Sequence, residues 1–221
     1  MNLPDTLLGE VWYWAAWVVW LLFFVRSVFK APWAALKDSE RLNVWLGMIV
    51  LLVLVWSLKA GVKPGLSLHL LGAMVFTLSF GPHLAFVGLS LVLFGVTLNG
   101  EAGFFAYALN ALLMAGVSVA LSNAIYRLIL RLLPRHFFVY VFVNGFFGSA
   151  LTIFGVGLAS VLLMGMAGAY GWEYLTTEYL PYFLLLGFSE AWLSGMLITL
   201  FVVYRPKWVA TFDDSSYLMN K

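Results

Sequence analysis

The sequence contains no cysteine, and only 10% of its 221 residues are charged, against about 25% in a typical soluble domain. The first absence excludes disulfides, thiolate metal sites and thiol nucleophiles. The second excludes a soluble fold, because 63% of the chain is hydrophobic and no soluble core could hide that much apolar surface. A formal charge of +2 is too small to suggest nucleic-acid binding. The opening Met-Asn-Leu-Pro-Asp-Thr-Leu-Leu-Gly-Glu carries no basic region, and its first charges, Asp5 and Glu10, are acidic, so a cleavable signal peptide is not expected and the mature chain is expected to begin at Met1. There is no P-loop run, no His-Glu-x-x-His helix and no Gly-x-Ser-x-Gly elbow, and the chain is therefore not read as an enzyme.

What is present is a succession of long apolar runs. In hydrocarbon every backbone amide must be paired internally, so such runs are helices or strands of a closed barrel, and these are too long for barrel strands. The expected fold is all-α, a polytopic bundle of about seven transmembrane helices. They fall near 10–29, 42–59, 66–80, 83–98, 104–131, 137–168 and 179–204. The third run, entered through Gly61 and Gly65, is short enough to be a broken or re-entrant helix, which is tolerated where it is buried in protein. Residues 1–205 form one membrane domain, followed by a short polar tail at 206–221.

Lys and Arg are retained on the cytoplasmic side of a membrane. Of the twelve here, only Lys59 and Lys63 fall on one side. Arg26, Lys30, Lys37, Arg41, Arg127, Arg131, Arg135, Arg205, Lys207 and Lys221 fall on the other. The expected orientation is N-out, C-in, which puts the aromatic clusters around Trp12 and Trp172 at the outer interface. Small residues four apart, such as Ala111 and Ala115 or Gly145 and Ser149, suit close helix packing.

Polar residues inside the spans are few, and an ionisable one there is a functional candidate by default. His69 lies roughly 6 Å, and Asn110 roughly 9 Å, inside the outer ends of their segments. The free amino terminus of Met1 is on the same side. Three nitrogen or oxygen donors can thus meet at one depth, and neutral imidazole and a deprotonated α-amine both suit late first-row divalent ions. The other reading of His69 is a hydrogen bond to a neighbouring helix. Glu190, roughly 18 Å into the last run, is either an ion relay or an internally paired structural acid, the latter favoured because no second ionisable group shares its depth. Asn144 reads as helix glue, and His83 and His136 as solvated residues of inner turns.

The order of these landmarks resembles the integral-membrane metal-binding subunits of energy-coupling factor transporters, the CbiM/NikM type that serve cobalt and nickel uptake. Met1-Asn2-Leu3-Pro4-Asp5 is similar to that family's Met-His-hydrophobic-Pro-acid start. Gly65-Leu66-Ser67-Leu68-His69-Leu70 resembles its small-Ser-x-His segment, followed by the Gly81-Pro82 turn. Asn110-Ala111-Leu112-Leu113-Met114-Ala115 resembles its Asn-Ala-Leu-Asn-Met-Ala run, and Ser189-Glu190-Ala191 with Arg205-Pro206 its final helix and exit.

The resemblance implies a substrate-binding subunit of the bacterial inner membrane whose N-terminal segment folds back into the bundle, working with separate ATPase and coupling membrane subunits. It assigns the amine of Met1, the nitrogen of Asn2 and the imidazole of His69 to the ion, with Asn110 beside them. Two departures stand out. Asn2 replaces a histidine ligand, and Leu113 replaces a second asparagine. At most three nitrogens remain, so a square-planar nickel site is not assumed, and copper or zinc stand beside nickel and cobalt as candidate substrates. The same departures favour an alternative, a non-transporting scaffold or assembly subunit of a larger membrane complex. A proton-coupled carrier working through Glu190 and His69 is the third reading.

Overall fold

The computed structural model describes residues 2–61 and 63–219. It is a polytopic helical bundle, as composition requires. Among the described residues six helical segments have the length and apolar composition to cross a membrane, the third of them broken at Gly81: α1 (Glu10–Lys30), α2 (Ser39–Ser57), α3 (Ala73–Leu98), α4 (Tyr107–Leu132), α5 (Val139–Met166) and α6 (Tyr182–Tyr204). α3 is the most buried of them and α2 the least, so α2 presents most of its surface to lipid. α2 is started by Asp38, whose side chain accepts the Glu40 amide, a common way of satisfying first-turn donors.

α3 is a hairpin rather than a rod. Gly81 breaks it with φ 77° and ψ 167°, a backbone setting that glycine adopts without a Cβ clash, and Pro82 starts the second arm. The two arms run in opposite directions along α2. Near the start of α2, Arg41 donates to the Ser79 carbonyl and Trp45 to that of Leu84. Farther along, Leu52 lies against Gly72 and Val53 against Gly95. Gly88 sits under the Phe76 ring, where a Cβ would come within 2.6 Å of it. The apolar runs expected at 66–80 and 83–98 are thus the two arms, with one difference. Residues 66–72 are not helical, and a short antiparallel pairing of β1 (Ala60–Gly61) with β2 (Ser67–Leu68) precedes the first arm. That arm, residues 73–80, is about 12 Å long, too short to cross a hydrocarbon core of about 30 Å.

The short arm leaves its final carbonyls without helical partners, and the C-terminal tail supplies them. The amides of Ala210 and Thr211 donate to the carbonyls of Ser79 and Leu78, and the Thr211 hydroxyl donates to Leu78 again at 2.9 Å. Val209, Phe212 and Tyr217 complete a second apolar cluster with Tyr140, Ile198 and Met74. Up to Tyr217 the tail expected at 206–221 is therefore a packed part of the bundle.

Candidate metal centre

At the opposite end of the bundle, residues 2–9 precede α1 and run inward instead of leaving the fold. Leu3 is fully buried and Asn2 nearly so. The segment has no secondary structure of its own, so its backbone groups need side-chain partners. Asn110, buried near the start of α4, supplies two: its Oδ1 accepts the Leu3 amide at 2.8 Å and its Nδ2 donates to the Leu3 carbonyl at 3.0 Å. The Asn2 amide donates to Ser67 Oγ at 3.0 Å, and its Nδ2 to the Glu101 carbonyl at 3.4 Å. Asp5 accepts the Ala106 amide at 2.7 Å. Tyr13 bridges the Leu8 amide and the Pro4 carbonyl.

Backbone shape accommodates the segment as well. Gly65, at φ 77°, faces Leu3 and Leu7, and any Cβ there would meet both side chains inside 3.0 Å. Gly103 lies directly against the Asp5 carboxylate with no room for a Cβ.

His69 lies two residues beyond Ser67, just past the end of β2. It is 3% exposed, and its ring packs on Trp56 with centroids 5.1 Å apart. Its Nδ1 lies 3.1 Å from the Leu70 carbonyl. A carbonyl only accepts, so Nδ1 carries the proton and Nε2 presents a lone pair. That Nε2 is buried without a hydrogen-bond partner, and so is Asn2 Oδ1. A ring whose far nitrogen is anchored to a backbone carbonyl, with its near nitrogen free, has the arrangement of a metal-ligating histidine.

The stretch carrying His69 is held from behind by Glu190. This carboxylate accepts the amides of Leu71 at 2.9 Å and Gly72 at 2.7 Å, the donors at the start of the first α3 arm. Trp56 adds a bond to the Leu71 carbonyl. Glu190 touches no basic side chain among the described residues; its partners are backbone N–H groups and the Ser194 hydroxyl.

The inserted segment thus ties Asn2 to Ser67 and Leu3 to Asn110, with His69 two residues beyond Ser67 and Glu190 holding the amides that follow it. Met1 lies outside the described residues. Asn144 is buried near the start of α5. His83 is half-buried beside Ser27, and His136 accepts the Phe138 amide. Sequence reasoning gave no role to Asp5, Gly103 or Trp56. The available signal for Asp5 was its place as the acid of the opening Met-Asn-Leu-Pro-Asp run, whereas the fit of Gly103 against it is visible only in three dimensions. Among the described residues no group of three His, Cys, Asp or Glu side chains is placed to hold a metal.

The class that this fold and site define is a multi-pass helical membrane protein whose own N-terminal segment is threaded into the bundle beside a buried, half-satisfied imidazole. Residues 2–208 match the family model for CbiM, the cobalt uptake substrate-specific transmembrane region. The chain belongs to this family. It is accordingly a membrane component of metal transport and not an enzyme. Two solved structures share the fold. One, titled a truncated transition metal transporter, is 20% identical with a TM-score of 0.79, and the match covers 92% of this chain and 99% of that one. The other, titled a transition metal transporter, is 21% identical with a TM-score of 0.74, covering 90% and 91%. Comparison with the curated proteins gives no match.

Proposed function

We propose that this chain is the substrate-binding membrane subunit of an energy-coupling factor type transporter, taking up a divalent transition metal. The single observation that carries the reading is the buried, unpartnered Nε2 of His69, in a stretch that the inserted N-terminal segment touches through Asn2 and Ser67. Burying a lone pair without a donor costs free energy, and a cation supplies what the protein does not. The proposed donors are His69 Nε2, the amine of Met1 and an atom of Asn2, either its backbone nitrogen or its unpartnered Oδ1. Asn110 holds the segment by gripping Leu3, and Glu190 holds the His69 stretch.

A mixed nitrogen and oxygen set with one imidazole is poorer than a multi-histidine site and suits nickel, cobalt, copper or zinc according to geometry. On this reading the chain lies in the bacterial inner membrane, N-out and C-in, and captures the ion from the outer side. Separate ATPase and coupling membrane subunits supply the energy.

A second reading, a scaffold or assembly subunit that holds no ion itself, is favoured by the two departures in the donor region, Asn2 and Leu113. Equilibrium dialysis of the purified protein with nickel, cobalt, copper and zinc separates the two. Near-stoichiometric retention of one ion, abolished both by His69→Ala and by a one-residue N-terminal extension, is expected for transport. No retention above the variants would leave the scaffold reading.

A further inference from the structure

A lateral cleft of about 430 Å³ opens between α1, the second arm of α3 and α4, at the end of the bundle that carries most of the Lys and Arg. It exists because α1 packs on α3 and on the first turns of α4, where Trp17 and Trp20 meet Tyr107, and leaves a gap farther along. Its walls are apolar: Phe23 on α1, Phe86 on α3, and Leu112 and Val119 on α4, with Gly116 leaving the wall flat. Phe23 and Ala120 are exposed at its edges, so it faces the surrounding membrane.

The mouth of this cleft has a different chemistry. Arg26, Ser27 and His83 line it. His83 Nδ1 lies 3.5 Å from Ser27 Oγ, beside the exposed Arg26, and the exposed Lys30 follows one helical turn along α1. Neither cation is paired, since the ion pairs among the described residues are Lys59 with Glu101 and Arg205 with Glu40. The second arm of α3 begins here at Pro82, which adds the positive end of its dipole. Unpaired cations above an apolar slot between transmembrane helices match a ligand with an anionic head and a hydrocarbon tail.

We propose that the cleft is a binding site for an anionic phospholipid, with one acyl chain lying between Phe23, Phe86 and Val119 and the phosphate held by Arg26 and Lys30. Ser27 and His83 stand at the headgroup. This site is separate from the proposed metal centre and does not depend on it.

The test uses the full chain in phosphatidylcholine bilayers containing trace spin-labelled phosphatidylglycerol or spin-labelled phosphatidylcholine, with the motionally restricted fraction giving relative association constants. The wild type should prefer phosphatidylglycerol. Arg26→Gln and Lys30→Gln should each reduce that preference by roughly fivefold at most, the worth of one cation at a membrane surface. Gly116→Leu, at a position where an added Cβ makes only ordinary contact with Phe86 at 3.6 Å, should close the slot and remove the preference with the cations intact. Arg131→Gln with Arg135→Gln, at the same end but outside the cleft, should leave it unchanged, as should excess inorganic phosphate. Equal association of the two lipids with the wild type would overturn the proposal and leave the cleft to a helix of another chain. A loss in the Arg131/Arg135 control as large as that for Arg26 and Lys30, or displacement by phosphate, would also overturn it.

Discussion

Asn110, His69 and Glu190 are all buried polar side chains, yet each does something different because each faces a different partner. Asn110 uses both ends of its amide on one residue, pairing the N–H and the C=O of Leu3. Asn110→Leu keeps the volume and strands both groups, at a cost of about 1–3 kcal/mol each. The expected result is a lower melting temperature together with rapid deuterium exchange at the Leu3 amide; unchanged protection there would show that something else holds the segment. Glu190 anchors two backbone amides. Glu190→Gln should therefore lower thermal stability and leave the shape of the pH profile of metal uptake unaltered, whereas a proton-coupled carrier would lose its pH dependence. His69 is the one of the three whose remaining polar atom has no partner. From sequence alone these residues were visible as candidates because polar groups are rare in apolar runs. Their roles were not, because two of the three act on backbone groups about a hundred residues away, and no local pattern encodes that.

At the level of elements, the inserted N-terminal segment and the broken α3 solve the same problem from opposite ends of the bundle. Each exposes backbone groups that no regular structure satisfies, and each is closed by partners distant in sequence. The break itself was legible, since Gly81-Pro82 separates two apolar runs. The extended stretch at 66–72 was not, since Leu66, Leu68, Leu70 and Leu71 are as apolar as the helix that follows. The shape fit of Gly103 to Asp5 gives an element-scale prediction: Gly103→Ala should displace the N-terminal segment and weaken metal binding by more than tenfold, with the six long helices preserved by circular dichroism. Retained affinity would mean that the segment tolerates the shift. Truncation after Trp208 removes the amide and hydroxyl donors to Leu78 and Ser79. It should lower the melting temperature while leaving binding stoichiometry intact, because the tail sits at the end of the bundle remote from His69.

For the molecule as a whole, composition determined the environment and helical length determined the elements. The proposed function rests on a few atoms around His69. A protein of this composition has few polar side chains inside its spans, and the proposed donor set accordingly combines one imidazole with atoms of the N-terminal segment. In the proposed function His69 Nε2 is a ligand of the ion. X-ray absorption at the edge of whichever ion the purified protein retains tests that claim most directly. The wild type is expected to show the multiple-scattering signature of one imidazole, lost in His69→Ala together with most of the bound ion. A spectrum without imidazole, or one that His69→Ala leaves unchanged, would contradict it.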